Sequence, residues 1–329
     1  MSAACPMVRL PHPVVEAARL TATAPLPVRL LGADWVLWRD AGGAPHAAPD
    51  QCPHRGARLS LGRVCAGELQ CGYHGWRFAA DGRCTGVPAL PGFVPPAGHG
   101  LAGVRPLVEA QGLLWLQADG DPAPLPRLEA LDDPRLRRVT VGPFDVATSA
   151  PRLVENFLDM AHFGFVHDGW LGDGGHTEVA PFEVHTDAAG VHARGCRAWQ
   201  PRSNLRSAGG AWVDYDYDVP APATALLRKV PDGADGQPDW REAIALLVCP
   251  MDEEASRAWF RLAVPAAETD DDALSAFQHT IFGQDRPVLE SQRPRRLPLD
   301  GAERHSAADR LSTAYRRWLH ALGVRFGTC

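Results

Sequence analysis

Residues 52–76, CPHRGARLSLGRVCAGELQCGYHGW, set Cys52 and His54 one residue apart and Cys71 and His74 two apart, with sixteen residues between the pairs. Each half carries one thiol and one imidazole in a tight loop, with Gly56, Gly72 and Gly75 where the backbone must approach closely. Whatever fold the chain adopts has to bring these two loops to one metal group. The surrounding residues 27–117 suit that demand. They read as short β-strands (PVRLLGADWVLWRD, ELQCGYHGWRFAADGRCTGV, GLLWLQ) punctuated by Gly, Asp and Pro, with a hairpin signal at Asp81-Gly82.

Two thiolates and two imidazoles can hold zinc, but structural zinc loops typically place about two to four residues between the two cysteines of a pair. Here each pair is one Cys and one His. That suits a Rieske [2Fe–2S] cluster, in which two His replace two Cys on one iron. Cys52 and Cys71 then hold one iron, and His54 and His74 the other. Cys65, between the pairs, reads as a small hydrophobe of a strand. The chain has 329 residues and eight cysteines, and MSAACPMVRLPHPVV lacks the apolar run of a secretory leader. Metal chemistry in a cytoplasmic protein is therefore expected rather than a disulfide framework.

A Rieske centre relays electrons and makes no bonds itself, so a second station is needed. Residues 156–167, NFLDMAHFGFVH, supply candidates in Asp159, His162 and His167. Residues three apart share a helical face, so Asp159 and His162 point together, whereas His167 falls on a different face of a regular helix. The two histidines can meet only where the helix tightens, bulges or ends between them, and Gly164 eases such a departure. Two histidines and a carboxylate with open positions form the facial triad of non-haem Fe(II) oxygenases.

The Pro-rich stretch 118–136 reads as a linker, and the remainder mixes strands and helices. In WVDYDYDV, Val213, Tyr215, Tyr217 and Val219 alternate with Asp214, Asp216 and Asp218, as in a half-buried antiparallel strand. EEASRAWFRLAVP is a second strand. DDALSAFQHTIF carries Leu274, Phe277 and Ile281 in helical register, and SAADRLSTAYRRWLHALG carries Leu311, Ala314, Tyr315, Trp318, Leu319 and Leu322 on one stripe. The expected fold class is α+β: an all-β Rieske domain over residues 1–125, then a catalytic domain over 126–329 with helices packed on an antiparallel sheet. Net charge is −6 with no Lys/Arg block, and no apolar run is long enough to span a bilayer. Nucleic acid and membrane are not expected partners.

The motif CPHRG…CGYHGWRF together with ENFLDMAHFGFVH resembles the terminal oxygenase (α) subunit of Rieske non-haem iron oxygenases. Further matches run through RLLGADWVLWRD, GLLWL, VHDGWLG and QDRPVLESQRPRRLPLD. The short chain is similar to the branch of vanillate O-demethylases, dicamba monooxygenase and caffeine N-demethylases. Gly72 departs from the proline that many relatives carry before Tyr-His-Gly-Trp. The resemblance implies a homotrimer without a second subunit type, and Asp285 of GQDRPVLESQ as the third iron ligand, with Glu290 and Asp309 as fallback candidates. It also implies that Asp159 bridges an iron-ligating histidine to His74 of a neighbouring subunit. Absent that resemblance, Asp159 reads as a carboxylate paired with a helix N-terminus. Asn156, one turn before Asp159, is implied as a supporting residue.

No G-x-G-x-x-G follows a strand, and GDGGH at 172–176 lacks the spacing, so electrons are expected from a separate NAD(P)H-dependent reductase. The expected reaction is hydroxylation with O2 of an aromatic or heterocyclic small molecule, including O- or N-demethylation. A cis-dihydroxylating dioxygenase is the alternative, and a bare Rieske electron carrier a third reading. Trp212, Tyr215, Tyr217 and Phe163 are candidate pocket-wall residues, whereas His99, His176 and His279 lack partners at ligand spacing and read as structural.

Overall fold

Short β-branched and aromatic runs between glycine- and proline-rich turns build the first of two units in a computed structural model that describes residues 5–234, 241–265 and 270–329. This unit spans Val8–Pro124. Its strands are β1 (Pro11–Glu16), β2 (Leu26–Leu30), β3 (Ala33–Arg39), β4 (Pro45–Pro49), β5 (Arg63–Cys65) and β6 (Glu68–Gln70). β7 (Arg77–Phe78), β8 (Cys84–Gly86), β9 (Arg105–Pro106), β10 (Val108–Ala110) and β11 (Leu113–Gln117) complete it. They form two four-stranded antiparallel sheets, β2-β3-β4-β9 and β5-β6-β7-β8, and a three-stranded sheet β1-β11-β10. One apolar core joins Val36, Trp38 and Ala48 of the first sheet to Val64, Leu69, Phe78 and Cys84 of the second, with Cys52 and Cys71 within it. The Asp81-Gly82 signal is met by the turn from Ala79 to Arg83 between β7 and β8.

The second unit comprises residues 5–7 and 125–329. Its sheet has seven antiparallel strands: β12 (Leu136–Val146), β13 (Glu183–Asp187), β14 (Gly190–Gln200), β15 (Ala211–Ala221), β16 (Thr224–Pro231), β17 (Glu242–Asp252) and β18 (Ala255–Pro265). They run in the order β12-β18-β17-β16-β15-β14-β13. Alternation in β15 is as expected: Val213, Tyr215, Tyr217 and Val219 are buried. Asp214, Asp216 and Asp218 lie on the other face beside Arg197, Arg228 and Arg194. The fold is α+β. Helix α1 (Ala150–Leu158) lies over β16 and β17, α3 (Asp271–Ser291) over β12, and α4 (Arg310–Leu322) over β13 and β14. A single-turn helix, α2 (Phe163–Val166), follows α1. No described helix is long and apolar enough to cross a membrane.

Two expectations need correction. The Pro-rich stretch is not all linker, because Leu128 and Leu131 are buried and the turn Glu129–Leu131 packs on β17 and β18. Leu322 is 43% exposed rather than on the buried stripe of α4, since the helix ends there and buried Val324 follows.

α1 is held by charge rather than by apolar contact alone. Arg152 donates to both carboxylate oxygens of Glu303, at 2.6 and 3.1 Å, and to the Pro294 carbonyl at 2.9 Å. Arg316 of α4 donates to Glu155 of α1 at 2.5 and 2.7 Å and to Glu303 at 2.5 Å. Burial pushes the Glu303 carboxyl up, but hydrogen bonds from Arg152 and Arg316 outweigh it and hold it below the usual glutamate value. A depressed carboxylate stabilises the fold above its unfolded value, about 4.3, and that contribution is lost as pH falls through the folded value. Glu303→Gln should therefore cost about 1–3 kcal/mol at pH 7 by thermal or urea unfolding, with the difference shrinking below about pH 4. A variant equal to the parent at pH 7 would contradict this role.

Candidate metal centres and the cavity beside them

The two ligand loops of the first unit are built alike. Gly56 N–H donates to the Cys52 carbonyl at 2.9 Å and Gly75 N–H to the Cys71 carbonyl at 3.0 Å. Cys52 N–H then donates to Ala57 and Cys71 N–H to Trp76, closing each loop. Both glycines sit at φ +71°, a conformation that side chains disfavour. The loops hold Cys52 and Cys71 as buried free thiols, with the His54 and His74 rings 4.6 Å apart. Burial pushes the Cys52 thiol up to about 11, and neighbouring Cys71 adds to the shift. His54 Nδ1 is buried with no hydrogen-bond partner. An orphaned ring nitrogen beside two buried thiols and a second imidazole fits a two-iron cluster with mixed Cys and His ligation.

Outside this set, Cys65 is not simply a small hydrophobe: its Sγ donates to Gln70 Oε1 at 3.3 Å. His99 stacks on Trp76, His176 pairs with Asp173, and the His279 ring meets Phe144.

In the second unit, Ser149 caps α1 by accepting from Arg152 N–H, and the helix ends at Leu158. Asp159 is extended (φ −91°, ψ 127°), and its Oδ1 accepts from Ala161 N–H at 2.7 Å, turning the chain into α2. His162 and His167 flank that single turn, one before it and one after. The helix thus ends ahead of both histidines, and a separate turn brings them together. Gly164 contributes differently from expectation. A Cβ there would meet the Asp173 carbonyl at 2.7 Å, so its smallness admits the neighbouring loop rather than loosening the helix.

Asp285, from α3, completes a cluster. His162 Nε2 and His167 Nε2 are 3.2 Å apart, and Asp285 Oδ1 lies 3.4 and 3.3 Å from them. Asn156 Nδ2 donates to Asp285 Oδ1 at 3.2 Å. His167 Nδ1 donates to Gln284 Oε1 at 2.8 Å, which leaves the lone pair on Nε2. Lone pairs of a buried imidazole and a carboxylate therefore face one another, an arrangement that calls for a cation between them. Asp159 Oδ2 is 3.3 Å from His162 Nδ1 but off the line of a hydrogen bond. The fallback carboxylates are engaged elsewhere: Glu290 accepts from Ala147 N–H, and Asp309 caps its own turn with Ser306. Gln284 was overlooked in the sequence, although it adjoins Asp285 in the same motif.

The cluster opens onto a cavity whose empty space, open solvent at the mouth included, is roughly 730 Å³. Phe157, Phe163, Leu227, Ile244, Phe260 and Phe282 give it an apolar wall. Of the expected wall residues, Phe163, Tyr215 and Tyr217 line it, whereas Trp212 is 38% exposed and meets Trp199 edge to face. Burial raises both tyrosine hydroxyls well above their ordinary value, so they remain neutral donors. A second, polar hollow lies beside Asp159, His162, Arg152 and His305.

The Rieske [2Fe-2S] domain family matches residues 11–101, and the vanillate O-demethylase oxygenase C-terminal domain family matches residues 146–325. The chain belongs to the Rieske non-haem iron oxygenases. Methylxanthine N1-demethylase NdmA of Pseudomonas putida is 31% identical over 94% of this chain and 88% of its own length. Methylxanthine N3-demethylase NdmB of the same organism is 30% identical over 95% and 88%. The structure of Pseudomonas putida CBB5 NdmA with caffeine superposes with a TM-score of 0.83 at 30% identity, covering 95% of this chain and 90% of that one. Dicamba monooxygenase, at 22% identity and a TM-score of 0.77, shares the fold. As a terminal oxygenase of this family, the chain carries a Rieske cluster and a mononuclear iron, and acts on a small molecule with O2 and a separate reductase.

Gln284→Ala should loosen the mononuclear iron about 10–100-fold, because it frees the His167 ring, and leave the visible Rieske spectrum unchanged. Iron retention equal to the parent during dialysis against a chelator would contradict this.

Proposed function

We propose that this chain is a demethylating monooxygenase, cytoplasmic and homotrimeric, whose iron is held by His162, His167 and Asp285 and whose cluster is held by Cys52, His54, Cys71 and His74. The observation that carries the reading is the convergence of two imidazole nitrogens and one carboxylate oxygen within 3.4 Å, beside an apolar cavity. The cluster, when bound, relays single electrons, and the ferrous iron supplies O2 activation. Overall, one oxygen atom enters a methyl C–H bond of the substrate, two electrons and two protons take the other to water, and the hydroxymethyl group collapses to formaldehyde.

The chain's own residues set the conditions for this chemistry. The apolar wall excludes water and seats a planar ring, while Asn156 holds the Asp285 carboxylate at one oxygen. Gln284 fixes the His167 tautomer. Asp159 is the bridging residue toward His74 of a neighbouring subunit. In its support, Asp159 lies against His162 and lines the polar hollow rather than the apolar cavity. The methylxanthine demethylases among the relatives favour N- or O-demethylation over cis-dihydroxylation.

Two measurements test this. With a surrogate reductase, an N- or O-methylated substrate should yield one formaldehyde per O2 consumed. A cis-diol product would instead favour the dioxygenase. Asp159→Ala should retain both metals yet lose about 10–100-fold in reductase-coupled turnover, since outer carboxylates of this kind carry effects of that size. Full activity in that variant would overturn the bridging role.

A further inference from the structure

Lys229 of β16 and Glu242 of β17 stand directly opposite one another in the sheet, with Nζ and Oε1 3.2 Å apart. Their side chains are only 5% and 10% exposed, and both line the cavity beside the metal-ligand cluster. Neighbouring wall positions on the same strands, Leu227, Ile244 and Leu246, are apolar. A buried ion pair contributes little stability over a well-packed apolar pair of the same volume. Its place in this wall therefore points to the ligand rather than to the fold. The Tyr217 hydroxyl, fully buried and without a hydrogen-bond partner, lines the same cavity.

The chemistry of the pair selects among ligands. An ammonium group has three N–H donors, and a carboxylate has two acceptor oxygens, so both can serve a ligand while remaining paired. Together they carry no net charge. An aromatic carboxylate seated on Lys229 would lie against the Glu242 carboxylate, and like charges repel strongly in a poorly solvated site. A neutral group with a carbonyl beside an N–H meets donor and acceptor at once.

We propose that the Lys229–Glu242 pair makes this oxygenase selective for neutral, planar heterocycles bearing an adjacent C=O and N–H, with aromatic carboxylates excluded. This rests on the cavity being the substrate site of the demethylase proposed above.

The test uses the holoenzyme and two bicyclic probes, 1-methylquinazoline-2,4-dione and 6-methoxy-2-naphthoate, with binding followed by calorimetry and formaldehyde followed separately. The parent should bind the dione at least about tenfold more tightly than the naphthoate, the loss expected when a buried polar partner is mismatched. Glu242→Gln exposes the Lys229 charge and should reverse that order. Lys229→Met/Glu242→Leu removes both charges of the pair together, so it should fold, keep its Rieske spectrum and bind both probes within about threefold. A parent that prefers the naphthoate, or a preference unchanged in both variants, would overturn the proposal. The expected binding order without formaldehyde from the dione would uphold the selectivity and overturn the demethylase reading instead.

Discussion

Two imidazole nitrogens and a carboxylate oxygen meet within 3.4 Å in a largely buried site, and the remaining features of the catalytic unit serve to hold them there. The His167 lone pair and the Asp285 carboxylate face one another there, and a cation between them relieves that conflict. The surroundings do not relieve the conflict. Gln284 fixes the His167 lone pair toward the cluster, and Asn156 supplies a single N–H to Asp285. The site is therefore preorganised for a metal, and the packing around it holds the three groups in place.

That packing explains the form of the unit. α1 must end before His162 so that a separate turn can bring His162 and His167 onto one point. The loop at Gly172–Asp173 presses on this turn so closely that a Cβ on Gly164 or Gly172 would lie within 2.7 Å of backbone. Arg152, Glu155, Glu303 and Arg316 anchor α1 to α4, and α3 brings Asp285 from a distant part of the chain. The first unit solves a similar problem with two matching glycine turns that hold two thiols and two imidazoles together.

Much of this was legible in the sequence, because ligand chemistry leaves short, local patterns. The pairing of one Cys with one His in each loop pointed to mixed ligation of a cluster, and the spacing of His162 and His167 already required a break in the helix. Strict alternation from Val213 to Val219 gave the central strand and its buried tyrosines. Asp285 came chiefly from family resemblance, with local support only from its place four residues after Ile281 on the inward stripe of its helix, because its histidine partners lie far off in the chain. Gln284, Lys229 and Glu242 were missed for a related reason. Their roles arise from partners that are 117 residues away in the chain for Gln284, and from a cross-strand register for Lys229 and Glu242. The role of Gly164 was misread because its constraint lies in the loop that packs on it rather than in its own backbone.

The most direct measurement is anaerobic iron quantitation, with the cluster spectrum, on the parent and on His162→Ala/His167→Ala. The parent should hold about three irons per chain, two in the cluster and one mononuclear. The double variant should hold about two, with the Rieske absorption intact. An unchanged iron content in that variant would place the oxygen-activating metal somewhere other than the His162, His167 and Asp285 cluster.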